Sequence, residues 1–401
     1  MTMPAYANRV KNMQDSALYM RGLFGGMTNP DIISFGGGAP APQALPADIL
    51  HSIANEVLKS DARGCEALQY SNTMGLKDLR QAVVSELLAP SGVEADVDNV
   101  LIVTGGLETM NLLCQVYINP GDVILVESPA FIHCIDIFNM FEAKSIPCEC
   151  DDIGLVMEDV EAKIKQYQPK IIYTVPTFHN PTGKTLTTER RKRLAELGSE
   201  YDVIILEDDP YRDIRYSGET LPTIKSFDKT GHTVMANSFS KMFSPGSRLG
   251  YAVARKDLIL LLMDAKIATN SHTSSLDQVL CAEFFKRGYY RDHHQKICDL
   301  YRQRRDIMLE CIDKYFPQGT KRTYPDGGFY IWVELPGGLD SGQLLAEAEK
   351  KNISYLAGES WFVGEKNVGS NTMRLNFANA KEENIRYGIK TLGQLFTEKL
   401  K

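Results

Sequence analysis

Between residues 97 and 255 the chain alternates short apolar runs with longer stretches in which apolar residues recur every three or four positions. The runs are Val100-Leu101-Ile102-Val103, Val123-Ile124-Leu125-Val126, Ile171-Ile172-Tyr173-Thr174-Val175 and Val203-Ile204-Ile205-Leu206. They are four or five residues long, rich in β-branched side chains and apolar at successive positions. That is the pattern of strands covered on both faces, as in a mostly parallel sheet. Between them Val156, Val160, Ile164 and Tyr167 recur at helical spacing, and Thr187 ahead of Glu189 reads as the cap of a further helix. Such alternation predicts an α/β fold, a large mostly parallel sheet flanked by helices. Ligands of such sheets gather at the carboxyl ends of the strands.

The last third has another rhythm. Tyr289 to Tyr315 is one long polar stretch of helical pattern. Pro325-Asp326-Gly327-Gly328 then reads as a turn, Phe329 to Val333 as a strand, and Asp340 with Gln343 as a capping box opening a helix to about Lys350. A further strand is expected over Met373 to Phe377. This is the pattern of a smaller α+β domain. The expected division is a large domain over residues 46–289, and a second unit made of residues 1–45 together with 290–401.

Composition narrows the function. The chain has 401 residues, 43% apolar and 24% charged, which places it among ordinary globular proteins. A formal charge of −7 argues against a nucleic-acid-binding face. Met1 to Ser16 lacks the apolar stretch of a signal peptide, and Leu258 to Met263 is too short to span a bilayer, so no membrane contact and a cytoplasmic location are expected. The eight cysteines are scattered. Cys148-x-Cys150 has no second pair at zinc-ligand spacing, so no metal is expected. His293-His294 reads as polar helix surface. Two phosphate-binding patterns fail: Thr182-Gly183-Lys184-Thr185 has Phe178 where a P-loop needs its first glycine, and Pro40 and Pro42 would break the helix that Gly36-x-Gly38-x-x-Ala41 must open.

A different constellation survives. A pyridoxal phosphate (PLP) site needs a lysine amine for the aldehyde, a carboxylate for the pyridine nitrogen, a donor to the ring hydroxyl, and amides, hydroxyls and an arginine for the phosphate. Ser238-Phe239-Ser240-Lys241 with Arg248 seven residues on, following a short strand over Thr233 to Ala236, resembles the lysine region of fold-type I PLP-dependent aminotransferases of class I/II. Other motifs of that family follow in its order. They are Asn180-Pro181-Thr182-Gly183, Asp208 with Tyr211 three residues later, Gly105-Gly106-Leu107-Glu108 after the strand ending at Val103, Glu127-Ser128-Pro129-Ala130-Phe131, Leu68-Gln69-Tyr70, and Met373-Arg374-Leu375. The resemblance spans roughly residues 20 to 380. The wording of Glu207-Asp208-Asp209-Pro210-Tyr211 is closest to the aminoadipate, kynurenine and aromatic aminotransferase branch.

The resemblance implies the PLP-dependent transferase fold, PLP as cofactor, and ping-pong transamination between an amino acid and a 2-oxo acid. It implies Lys241 as the Schiff-base lysine and α-proton carrier, Asp208 on the pyridine nitrogen, and Asn180 and Tyr211 on the ring hydroxyl. Arg248, Ser238, Ser240, Gly106, Leu107 and Glu108 fall around the phosphate. Phe131 falls over the ring, where the family has tyrosine, and a core phenylalanine is the alternative. Gly38, Asn180 and Arg374 fall at the substrate, although an arginine in this setting can also be a solvent-facing edge residue. Tyr70 would reach the phosphate of a neighbouring subunit, making a homodimer. Glu108 departs from the family's glutamine, and a glutamate beside phosphate is repelled unless it turns away or is neutralised. Residues 11–30, Arg21 among them, are a candidate cover for the pocket. A PLP-dependent C–S β-lyase would share this shell. A non-catalytic regulatory module fused to a DNA-binding domain is disfavoured, because the motifs run from about residue 35 to Phe377 and leave it no room.

Overall fold

The apolar runs become the interior strands of a seven-stranded sheet in the computed structural model, which describes residues 5–7, 9–12, 31–59, 61–364 and 368–400. In chain order the strands are β1 (Val100–Val103), β2 (Val123–Glu127), β3 (Lys144–Cys148), β4 (Ile171–Thr174), β5 (Ile204–Asp208), β6 (Thr233–Ser238) and β7 (Gly250–Val253). They lie side by side as β1-β7-β6-β5-β4-β2-β3. All neighbours are parallel except β7, which is antiparallel to both β6 and β1. Six strands therefore deliver their carboxyl ends to one edge.

Both faces of the sheet are covered. Val100 and Ile102 join one apolar cluster, whereas Leu101 and Val103 join another, as side chains alternate along a strand. Two strands carried no apolar-run signal. β3 is an edge strand of sequence Lys-Ser-Ile-Pro-Cys, and an edge tolerates both polar residues and the missing amide of Pro147. β7 begins at Gly250, where an added Cβ would stand 2.7 Å from the Asn237 carbonyl oxygen, so that neighbouring backbone excludes any side chain.

Thr187 caps the helix Thr188–Glu200 by accepting the Arg190 N–H at 3.4 Å. Helix α1 (Gly106–Tyr117) follows β1, and α2 (Lys256–Thr269) follows β7. The polar stretch forms the single helix α3 (Tyr289–Tyr315), and His293 on it corrects an expectation: it is buried and meets the Phe284 ring edge-on at 5.7 Å. A helix polar in composition still buries one face against the core.

The second sheet comprises β8 (Lys321–Arg322), β9 (Tyr330–Glu334), β10 (Leu356–Ala357) and β11 (Thr372–Asn376), ordered β8-β9-β11-β10 and antiparallel throughout. Asp340 caps the helix Ser341–Glu349, accepting the Gln343 N–H at 2.9 Å. The strand Ile33–Ser34 pairs with Ile353–Ser354, tying the segment before residue 45 to the carboxyl-terminal part. One apolar cluster continues from Val100 and Ile102 through Phe329 and Ile331 to Phe396 on α4 (Glu382–Leu400), so the two sheets share a core. Residues 13–30, including Arg21, lie outside the described residues. Among the described residues no helix is long and apolar enough to cross a membrane, and no side-chain group could hold a metal ion.

Candidate active site

The shared edge of carboxyl ends is where the polar residues converge. β1 ends at Val103, and Gly105 turns the chain into α1 at φ +81, a conformation that side chains disfavour. A Cβ on Gly105 would stand 2.5 Å from Arg248 Nη2. The guanidinium thus lies against the turn that opens α1, where unpaired helix amides make an anion cradle. At the end of β6 the Ser238 hydroxyl donates to Ser240 Oγ at 2.9 Å and accepts the Ser240 N–H at 3.2 Å.

β5 ends in Glu207 and Asp208 and is followed directly by Asp209, and the three acids point to different surroundings. Glu207 caps a helical turn, accepting the Ile224 and Lys225 N–H groups at 2.7 and 2.8 Å. Asp209 faces Arg212 at 3.5 Å. Asp208 alone of the three lines the cavity, with Tyr173 OH donating to its Oδ2 at 2.9 Å. Burial pushes its pKa up to about 7, against the lowering effect of that hydrogen bond.

Lys241 Nζ donates to the Gly38 carbonyl at 2.8 Å and stands 5.4 and 5.7 Å from the ring centres of Phe329 and Tyr211. Burial, then the charges of Arg374 and Arg248, draw its pKa down to about 8. Gly38 has no room for a side chain, since a Cβ would come 2.8 Å from Tyr330 OH. Tyr211 OH meets Tyr330 OH at 3.1 Å, and burial raises the Tyr211 phenol well above its usual pKa. Arg374, on β11, is buried rather than solvent-facing: Nη1 donates to Asn180 Oδ1 at 2.8 Å and Nη2 to the Gly36 carbonyl. Its guanidinium lies 4.2 Å from the Tyr330 ring centre and 4.8 Å from that of Trp361, and its Nε has no partner.

Gly106, Leu107, Phe131, Asn180, Asp208, Tyr211, Ser238, Ser240, Lys241 and Arg248 line one cavity of about 150 Å³. Gly38 and Arg374 reach it through their bonds to Lys241 and Asn180. Met110, Val175 and Pro210 also line it and were not anticipated. Met110 is one helical turn beyond Gly106, Val175 directly follows β4 and Pro210 comes two residues after β5, so helix spacing and strand ends held the signal. Tyr173 and Tyr330 were read only as strand residues.

Two expected residues stand apart. Glu108 does not line the cavity; Lys266 Nζ donates to its Oε2 at 2.8 Å and Asn270 Nδ2 to its Oε1 at 2.7 Å. An acid at an anion cradle is turned to a cation. Tyr70 is 87% exposed, edge-on to the His272 ring at 5.7 Å, and does not line the cavity of its own chain.

These residues fit PLP. Asp208 is a buried carboxyl at the cavity wall, suited to a cationic ring nitrogen. The space over Gly105 is kept free of a side chain beside a guanidinium and two hydroxyls, suited to a phosphate. Lys241 supplies an amine of lowered basicity between them.

The comparisons agree. Residues 31–392 match the family described as aminotransferase class I and II. The chain is similar to the aromatic-amino-acid aminotransferase 1 of Thermococcus litoralis, 38% identical over 92% of this chain and 89% of that one. It is also similar to the 2-aminoadipate transaminase of Thermus thermophilus, 32% identical over 91% and 90%. Its fold superposes on a kynurenine aminotransferase of Pyrococcus horikoshii solved with PMP, with TM-score 0.93 and 38% identity over 99% and 98% of the chains.

Proposed function

Because the chain belongs to the class I and II aminotransferases, and so transaminates amino acids with 2-oxo acids using PLP, we propose that Lys241, Asp208, Asn180, Arg248 and Arg374 carry that reaction, on amino acids with aromatic side chains. The observation that carries the assignment is the convergence of Lys241, Asp208 and Arg248 on one cavity from the ends of different strands. The C–S β-lyase alternative is not favoured by the relatives.

PLP supplies an electrophilic aldehyde carbon and a ring that accepts electrons. The protein supplies position and proton transfer. Asp208, the buried carboxyl at the cavity wall, would hold the protonated ring nitrogen, whose positive charge would favour the ionised carboxylate. Asn180 and Tyr211 would bond the ring hydroxyl and Phe131 would cover the ring, all three lining the same cavity. The amides of Gly106 and Leu107, the hydroxyls of Ser238 and Ser240, and Arg248 would hold the phosphate. With the cofactor bound, Lys241 Nζ would be the group that takes and returns the substrate α-proton, its lowered basicity favouring the neutral amine that can accept it. Arg374 grips the substrate carboxylate, its two rings fixing the guanidinium plane.

The substrate reading rests on an apolar cluster that meets the cavity at Phe131 and Arg374 at Trp361. Ile132, Trp332, Leu356 and Trp361 form a buried cluster against which Phe131 and Phe362 pack. Such a wall rewards an apolar, planar side chain. A screen of aromatic, dicarboxylic and aliphatic amino acids, reading oxo-acid formation that depends on an added 2-oxo acid, tests it. Aromatic donors are expected to have the highest kcat/KM. A preference for dicarboxylic donors contradicts the substrate reading. Ammonia and pyruvate released without an added oxo acid contradict the reaction.

The remaining features belong to the same proposal. A homodimer is proposed in which Tyr70, exposed in one chain, reaches the phosphate site of the other.

A further inference from the structure

Glu108 follows directly on the amides of Gly106 and Leu107, where an anion is to bind. It is 8% exposed, and Lys266 on α2 is fully buried. Lys266 Nζ donates to Glu108 Oε2 at 2.8 Å and to Asn270 Oδ1 at 2.9 Å. The same Oε2 accepts the N–H of Thr104, the residue that leads into Gly105. Asn270 Nδ2 donates both to Glu108 Oε1 at 2.7 Å and to Thr104 Oγ1 at 3.1 Å. These side chains hold the Thr104–Gly105 turn from the side away from the cavity.

Stability alone is a poor reason for such a pair, because burying two charges costs about as much as their attraction returns. Electrostatics at the neighbouring cradle is a better one. A lone glutamate behind the first amides of α1 repels a phosphate dianion, and the interior screens that repulsion weakly. An ammonium group bonded to the same carboxylate cancels it, while the carboxylate keeps its hold on the Thr104 amide.

We propose that Glu108 and Lys266 form a charge-neutral brace behind the phosphate-binding turn, Lys266 being a positioning residue that sets affinity for the cofactor's phosphate without touching it. This rests on reading the start of α1 as the phosphate site. The geometry separates it from a merely structural role by sign. Removing the cation alone leaves a repelling carboxylate, whereas removing both charges removes the repulsion.

The test titrates apo-protein with PLP and with pyridoxal, which lacks the phosphate, following absorbance and tryptophan fluorescence. The chains are wild type, Lys266→Met, Glu108→Gln and the double variant, each checked for fold by circular dichroism. Wild type is expected to bind PLP far better than pyridoxal. Lys266→Met is expected to lose about tenfold or more of that preference, and the double variant to return to within about threefold of wild type. Glu108→Gln is expected to keep the preference. An unchanged preference in Lys266→Met, or a double variant as impaired as Lys266→Met, overturns the brace. Should Lys266→Met fail to fold, a preference lost in Glu108→Gln overturns it, and one kept by both Glu108→Gln and the double variant supports it. A wild type that does not distinguish PLP from pyridoxal overturns the phosphate-site reading instead.

Discussion

A lysine at the bottom of a cleft is a different base from one on a surface. Burial and two nearby guanidinium groups disfavour the charged form of Lys241, bringing its pKa to about 8. Only the neutral amine attacks an aldehyde. The rate at which apo-protein captures pyridoxal is therefore expected to rise with pH up to about 8 and then level off, as followed by absorbance. A rise continuing beyond pH 10 contradicts the assigned environment. Arg374 makes a second residue-scale prediction. Lysine cannot reproduce two directed N–H bonds and two stacked rings, so Arg374→Lys is expected to raise KM for the amino acid about tenfold or more, with PLP affinity little changed. Equal loss of PLP affinity would place Arg374 at the cofactor instead. The motifs made Lys241, Asp208 and Arg248 legible in the sequence. What they hid was partnership: Lys266 lies 158 positions beyond Glu108, and nothing local marks it as that acid's counter-charge.

Elements turn these residues into a site. Cavity-lining segments follow strand ends or open helices, Arg248 stands just ahead of β7, and the last position of β5 places Asp208, rather than its acidic neighbours, in the cavity. The turn at Gly105 depends on a missing side chain twice over, through its φ of +81 and the closeness of Arg248. Gly105→Ala is expected to weaken PLP binding about tenfold or more while leaving the fold intact by circular dichroism. Unchanged affinity would mean that the turn does not cradle the phosphate. The four apolar runs were legible as strands because each is buried on both faces. β3 was not, since an edge strand needs no continuous apolar run, and β7 was not, because its short sequence reads as part of the adjoining motif.

At the scale of the whole molecule two sheets share one apolar core, and the segment before residue 45 is stitched to the carboxyl-terminal part through Ile33–Ser34. We propose the division into residues 46–289, and 1–45 with 290–401, on that basis. No periodicity along one chain could show the continuity of this core, which joins residues from Phe35 to Phe396. The site also extends, on our reading, past a single chain. Tyr70→Phe and Lys241→Ala, each impaired alone, are expected to recover up to about a quarter of wild-type activity when mixed under subunit exchange, because one site in each mixed dimer is then intact. No recovery in exchanged dimers, confirmed by native mass spectrometry, would keep Tyr70 out of the partner's site.

The central claim is that Lys241 holds the cofactor among Asp208, Asn180 and Arg248. Borohydride reduction of the holo-protein, followed by digestion and mass spectrometry, fixes the cofactor on whichever lysine carries it. The modified peptide is expected to contain Lys241. Modification of another lysine, such as Lys266 or Lys184, with Lys241 left free, would contradict the account.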